Sequence, residues 1–197
     1  MPKMGVALTI LVSSTRLTAA PARVVLDNAR VTAWLAGASD VAAHREAAVV
    51  PLEETAAGKA GAAFWAADAK QAGDRGPLVL VEPKPGPIPP AVAVPDSATK
   101  PGEQPSSGMS FRVLFENDRV EVSRARMDAG AHEAFHTHKS DVVIVHLSGG
   151  TIEDTADGKT VAKHWKHGDV EFEARGSSHS ARNLGPAVEV VLVRLKP

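Results

Sequence analysis

Residues Gly130–Gly150 read GAHEAFHTHKSDVVIVHLSGG and carry three of the chain's eight histidines, His132, His136 and His138, within seven residues that run straight into an apolar segment. Alternate side chains of an extended chain share a face, so these three histidines are expected on one side and Phe135 on the other. Two imidazoles at i and i+2 stand side by side and suit chelation of one ion, at about 2.0–2.1 Å per Zn–N bond. A third ligand has to come from elsewhere. Gly168–Asn183, GDVEFEARGSSHSARN, offers His179 behind a glycine-rich turn.

The surrounding pattern is all β. FRVLFEND, RVEVSRARM, DVVIVHL, VAKHW, DVEFEA and AVEVVLVRL are short runs rich in Val, Leu and Phe, separated by turn-forming segments such as SGG, ADGK, RGSS and NLGP. Strands at this spacing predict a sandwich or barrel with little room for helices.

The two histidine-bearing segments resemble the cupin superfamily, whose first motif is G-x5-H-x-H-x3,4-E-x6-G and second G-x5-P-x-G-x2-H-x3-N. Gly130, His136, His138 and Gly149 match the first; Gly168, Gly176, His179 and Asn183 match the second, with Ala174 in place of the usual proline. The motifs stand in register, 18 residues apart, and cover most of Ser110–Pro197. The resemblance implies a jelly-roll barrel, the cupin double-stranded β-helix, with His136, His138 and His179 as ligands of a divalent metal inside its mouth. One position departs: Val142 stands where the family has its glutamate ligand, and the nearest carboxylate, Asp141, lies one residue earlier. A one-residue step along a strand reverses the face. Either Asp141 bends in from a turn as a fourth ligand, or water completes the coordination. The pattern also resembles a subgroup of small, often exported bacterial cupins, which implies no particular reaction.

The remaining histidines, His44, His146, His164 and His167, receive no role, and His132 is either a group supporting the ligands or a loop residue. Arg124 and Arg126 share parity with Val120 and Val122, so they either point into the barrel, where an anionic ligand would suit them, or are turned outward at an edge. Asn183 reads as a turn or supporting residue. Asp141, Glu133 and Glu173 are the carboxylates close enough in sequence to serve as a base.

Other features bound the organisation. Residues 1–22 read as a signal peptide: Lys3, the apolar run Met4–Val12, and Ala20-Pro21-Ala22 as a cleavage site. This predicts a periplasmic or secreted protein beginning near Arg23, the alternative being an N-terminal core strand in a cytoplasmic one. Residues 83–109 form a connector within a stretch, Glu82–Met109, that holds eight of the fourteen prolines. The expected domains are therefore 23–82 and 110–197. Segments of the first parallel the second: VLDNARV from Val25 with LFENDRV from Leu114, KAGAAFWAA from Lys59 with KHGDVEFEA from Lys166, and GPLVLVEPKP from Gly76 with GPAVEVVLVRLKP from Gly185. They predict a bicupin whose N-terminal half is reduced and packs on the C-terminal one. In that alignment Ala43, Arg45 and Ala72 take the ligand positions, and Trp34 and Trp65 are core aromatics.

Composition narrows the chemistry. Cysteine and tyrosine are absent, which excludes disulfides, thiolate ligands and the tyrosine-dependent epimerases of this superfamily. Charge is balanced, with 22 basic and 23 acidic residues, so nucleic acid is not an expected partner. Imidazole ligands suit Fe(II), Mn(II), Zn(II), Ni(II) or Cu(II). Three-histidine sites in cupin relatives imply a dioxygenase acting on a small anionic substrate; a periplasmic binding module that turns nothing over, or a purely structural metal, are the alternatives. A homodimer is the expected assembly for such barrels.

Overall fold

The structure, a computed structural model, describes residues 21–44, 46–67, 75–86 and 105–197. The expected leader up to residue 20, the connector over 87–104, and Arg45 and Ala72 lie outside the described residues. Two antiparallel sheets make up the fold. The first contains β1 (Arg23–Asp27), β2 (Val31–Ala36), β3 (Ala48–Pro51), β4 (Phe64–Trp65) and β5 (Leu78–Pro83), in spatial order β1-β2-β5-β3-β4, with a short 3-10 helix, Ala38–Ala43, between β2 and β3.

The second sheet contains β6 (Ser107–Glu116), β7 (Val120–Thr137), β8 (Val142–His146), β9 (Gly150–Ala156), β10 (Lys159–Trp165), β11 (Val170–Glu173), β12 (Ser178–Gly185) and β13 (Val188–Leu195). Its order is β10-β9-β12-β7-β13-β8-β11, with β6 along the free side of β7. It curls into a cupin jelly roll. Two strands exceed the sequence expectation, β9 and β12. Strand pairing reaches back before residue 110, where Ser107 and Met109 pair with His132 and Met127. Among the described residues no helix is long and apolar enough to cross a membrane.

β8 is buried at all five positions, which explains its unbroken apolar run: it is covered on both faces. Val143 and Val145 face the first sheet, while Val142 and Ile144 face the interior of the roll. The same division decides between the two alternatives for Arg124, which does not enter the roll. It does follow the parity of Val120 and Val122, but those valines pack on the N-terminal sheet, and the Arg124 Nη1 donates to the Ala60 carbonyl at 2.9 Å. Arg126 sits at the cavity rim, paired with Asp128 and Glu189.

The core between the sheets has two matching sides. Val31, Ala33, Ala48, Val50, Val79 and Val81 from the first sheet meet Val120, Val122, Val143, Val145, Val191 and Val193 from the second, all fully buried. Each such valine contributes about 1.5–3 kcal/mol on burial. Hydrogen bonds repeat in the same correspondence. Asn28 Oδ1 accepts from the Arg30 and Val31 amides, and Asn117 Oδ1 accepts from those of Arg119 and Val120. The Gly61 amide donates to Pro51 O and the Gly168 amide to His146 O; the Leu52 amide donates to Pro77 O and the Leu147 amide to Glu189 O; the Lys84 amide donates to Arg30 O and the Lys196 amide to Arg119 O. Asn183, in contrast, is a turn residue: its buried amide donates to the carbonyls of Met127, Asp128 and Pro186.

Candidate metal centre

β7 brings the first two histidines and β12 the third. His136 lies directly opposite His179 in the β7–β12 ladder, and the next registered pair is Glu133 with Ala181. Between these pairs β7 has two residues, Ala134 and Phe135, where β12 has one, Ser180, a β-bulge that inverts the alternation. Ala131 and Glu133 face the interior on one side of the bulge; His136 and His138 face it on the other. His132 is consequently turned to the opposite face, which corrects its expected place beside the ligands. A strict two-residue period could not anticipate this. His138 follows β7, its backbone held between Ser177 and Gly176 by N–H to O distances of 2.9 Å in both directions, and Gly176 takes the positive φ of 86° that lets the turn close there.

The imidazoles of His136, His138 and His179 have nitrogen atoms all within 4.8 Å of one another, and their ring centroids form a near-equilateral triangle with sides of 4.8, 4.7 and 5.1 Å. Two tautomers are fixed by their partners. His136 Nδ1 lies 3.1 Å from the Ala134 carbonyl, and His179 Nδ1 lies 2.8 Å from Asp154 Oδ1. Both partners only accept, so both Nδ1 atoms carry protons and both Nε2 lone pairs face the centre, where His179 Nε2 lies 3.2 Å from His138 Nε2. The Asp154 carboxylate is itself held below the usual range, because the Lys163 ammonium at 2.9 Å and His179 outweigh its burial. His138 is kept neutral: burial, and then the neighbouring His136 and His179, push it down to about 4. Three imidazoles converging in a half-buried cleft fit a divalent transition metal.

Asp141 does not join this group, which corrects its expected role as the fourth ligand. Its Oδ2 accepts from Arg30 Nε at 2.8 Å and its Oδ1 from the Arg175 amide at 2.9 Å. It precedes β8, on the side of the first sheet. Two other carboxylates do face the histidines. Glu133 Oε1 is 3.7 Å from His136 Nε2, and Glu173 Oε2 is 3.1 Å from His138 Nε2. Burial pushes the Glu173 carboxyl up.

The histidines open on a cavity of about 540 Å³ whose apolar wall includes Met127, Val142, Ile144, Ile152, Trp165 and Val190. Its charged side chains are four acidic, Glu121, Glu133, Asp154 and Glu173, and four basic, Arg126, Lys139, Lys163 and Arg194. The wall thus has no net sign of its own. Arg194, which donates to Glu121 at 3.0 Å and Ser123 at 2.8 Å, is an inward arginine that the sequence reading, which weighed Arg124 and Arg126 for that place, did not consider. Asp154 was legible only as part of the unrecognised strand β9. Elsewhere His146 is fully buried against Trp165, His164 meets Thr151 at 3.1 Å, His167 meets the Leu147 carbonyl at 2.9 Å, and His44 meets Glu82 at 3.2 Å.

The rolled sheet and the paired histidine-bearing strands give residues 107–197 an all-β jelly-roll fold of the cupin kind. No family profile matches this sequence, and no curated protein matches it. Solved structures do. A cupin domain from Bordetella pertussis is 23% identical, with a TM-score of 0.44, over 48% of this chain and 98% of its own. KdgF from Halomonas sp. is 19% identical, with a TM-score of 0.39, over 46% of this chain and 80% of its own. A cupin superfamily protein from Desulfitobacterium hafniense is 17% identical, with a TM-score of 0.39, over 58% and 94%.

Proposed function

We propose that this chain is a metal-dependent cupin in which His136, His138 and His179 hold one divalent transition metal and the adjoining cavity receives a small molecule. The observation that carries the reading is the convergence of three imidazoles, within 4.8 Å of one another, on the wall of a cavity of about 540 Å³. When bound, the metal supplies Lewis acidity or, if it is iron, an oxygen-activating centre. The chain's residues do the rest. Asp154 orients His179, burial keeps His138 free of its proton, and the apolar wall excludes water from one side of the ligand. Lys139 and Arg194 line the same cavity. With the wall balanced in charge, attraction for an anionic ligand comes chiefly from the ion.

The finer form of this reading is a three-histidine dioxygenase acting on a small anionic substrate, the competing form a binding module without turnover. Element-resolved metal analysis combined with oxygen uptake separates them. Stoichiometric iron with substrate-dependent oxygen consumption supports the enzyme; a retained ligand without oxygen consumption supports the binding module. Protein that takes up no divalent metal in stoichiometric amount contradicts both.

The matched core residues and repeated hydrogen bonds support a second reading, that the N-terminal half is a reduced copy of the cupin domain.

A further inference from the structure

The carboxylate missing from the first histidine motif is present one strand away. Val142 and Glu173 are direct partners in the antiparallel β8–β11 ladder. Directly opposed residues of such a ladder point to the same face, so Glu173 enters the cavity beside the valine. Its Oε2 lies 3.1 Å from His138 Nε2 and its Oε1 3.8 Å from His179 Nε2, and the side chain is only 20% exposed. The geometry points to Glu173 as the fourth protein ligand of the metal held by His136, His138 and His179, taking over across the ladder the role that Val142 cannot fill. This rests on the metal-binding reading above.

Two competing carboxylates are weaker candidates on the same measures. Asp141 is consumed by Arg30 and the Arg175 amide. Glu133 approaches a single imidazole, at 3.7 Å, whereas Glu173 spans two. A buried carboxylate set among imidazoles, with no cationic side chain among the described residues bonded to it, is a costly arrangement for a protein with nothing to bind there. A dication compensates that cost, and an anionic oxygen donor added to three nitrogens favours iron or manganese over softer metals. Four protein ligands would still leave such an ion able to bind a small molecule from the cavity.

The test uses Co(II) as the probe, bound to the full chain and to E173Q, E133Q, H136A and the double variant E173Q/V142E, with affinity measured by titration and geometry by d–d absorption. Wild-type protein is expected to bind one Co(II). E173Q is expected to keep binding, with at least about tenfold lower affinity and an altered d–d spectrum, while E133Q matches wild type in both. V142E is expected to restore affinity in the E173Q background by returning a carboxylate to the cavity face from β8. Wild-type affinity and spectrum in E173Q would overturn the assignment of Glu173 while leaving the three-histidine site standing. If wild type or H136A shows that Co(II) does not depend on the histidines at all, the underlying reading fails and this one with it. Should the double variant not fold, the comparison of E173Q with E133Q decides alone.

Discussion

Arg30 of the N-terminal half donates through Nε to Oδ2 of Asp141 in the C-terminal half at 2.8 Å. The reverse pair, Arg119 of the C-terminal half with Glu46 of the N-terminal half, spans the same boundary at 2.6 Å. The two pairs differ in burial. Arg30 and Asp141 are 16% and 9% exposed, Arg119 and Glu46 37% and 65%. Removing one partner of a buried pair leaves an uncompensated charge and costs about 3–5 kcal/mol, whereas an exposed pair contributes about 0–1 kcal/mol. Arg30→Ala is therefore expected to destabilise the chain strongly and Glu46→Ala weakly in chemical denaturation. Comparable losses would mean that the buried pair does not join the halves.

The glycines at the same boundary give an asymmetric expectation. Gly61, at φ 67°, would place a Cβ 2.4 Å from Leu147 Cδ1, while Gly168, at φ 83°, would place one at an ordinary 3.5 Å from Leu52 Cδ1. Both alanine variants incur the left-handed backbone cost of about 1–2 kcal/mol. Only Gly61→Ala adds overpacking, about 1–3 kcal/mol more. A thermal melt in which Gly168→Ala is the less stable of the two would contradict this packing.

Acid should destabilise the metal-free protein through His138. Its unfolded form takes up a proton as pH falls through about 6.5, but the folded form stays neutral down to about 4. Between those values the unfolded state binds more protons, so stability is full above the window and is lost as pH falls through it, by at most about 1.4 kcal/mol per pH unit for one proton. Glu173, pushed up by burial, acts with the opposite sign above the usual glutamate range. Comparing His138→Gln with wild type isolates the histidine: the variant should have the flatter profile between pH 4 and 6.5. Parallel profiles would refute the burial of that ring.

Asp154→Asn tests the support behind His179. The carboxylate fixes the Nδ1–H tautomer at 2.8 Å, and losing such a partner typically lowers metal affinity about 10–100-fold. Isothermal titration with Zn(II) should show that loss with unchanged stoichiometry.

Much of this architecture was readable from residue order, and the omissions have physical causes. The two histidine motifs declared themselves through glycine spacing, and the valine-rich runs of β6, β7, β8 and β13 through their composition. β9 escaped because Thr151–Ala156 mixes Glu153 and Asp154 with Ile152, so its alternation carries little hydrophobic contrast. The β7 bulge escaped because nothing in HEAFHTH distinguishes a strand with an extra residue from one without. That bulge turns His132 away from the face it was expected to share with His136 and His138, and brings Glu133 onto it. Asp141 misled because it is near in sequence to the missing ligand, while Glu173, distant in sequence, is its neighbour across the ladder. Arg194 went unnoticed at the far end of β13, although it shares strand parity with Val188, Val190 and Leu192, which line the same cavity.

The most direct test of the central claim is metal content per chain in wild type, His136→Ala and His164→Ala, each loaded and desalted identically. One divalent ion per chain in wild type and His164→Ala, and none in His136→Ala, is the predicted result. Equal metal in all three proteins, or equal loss in both variants, would contradict a centre built on His136, His138 and His179.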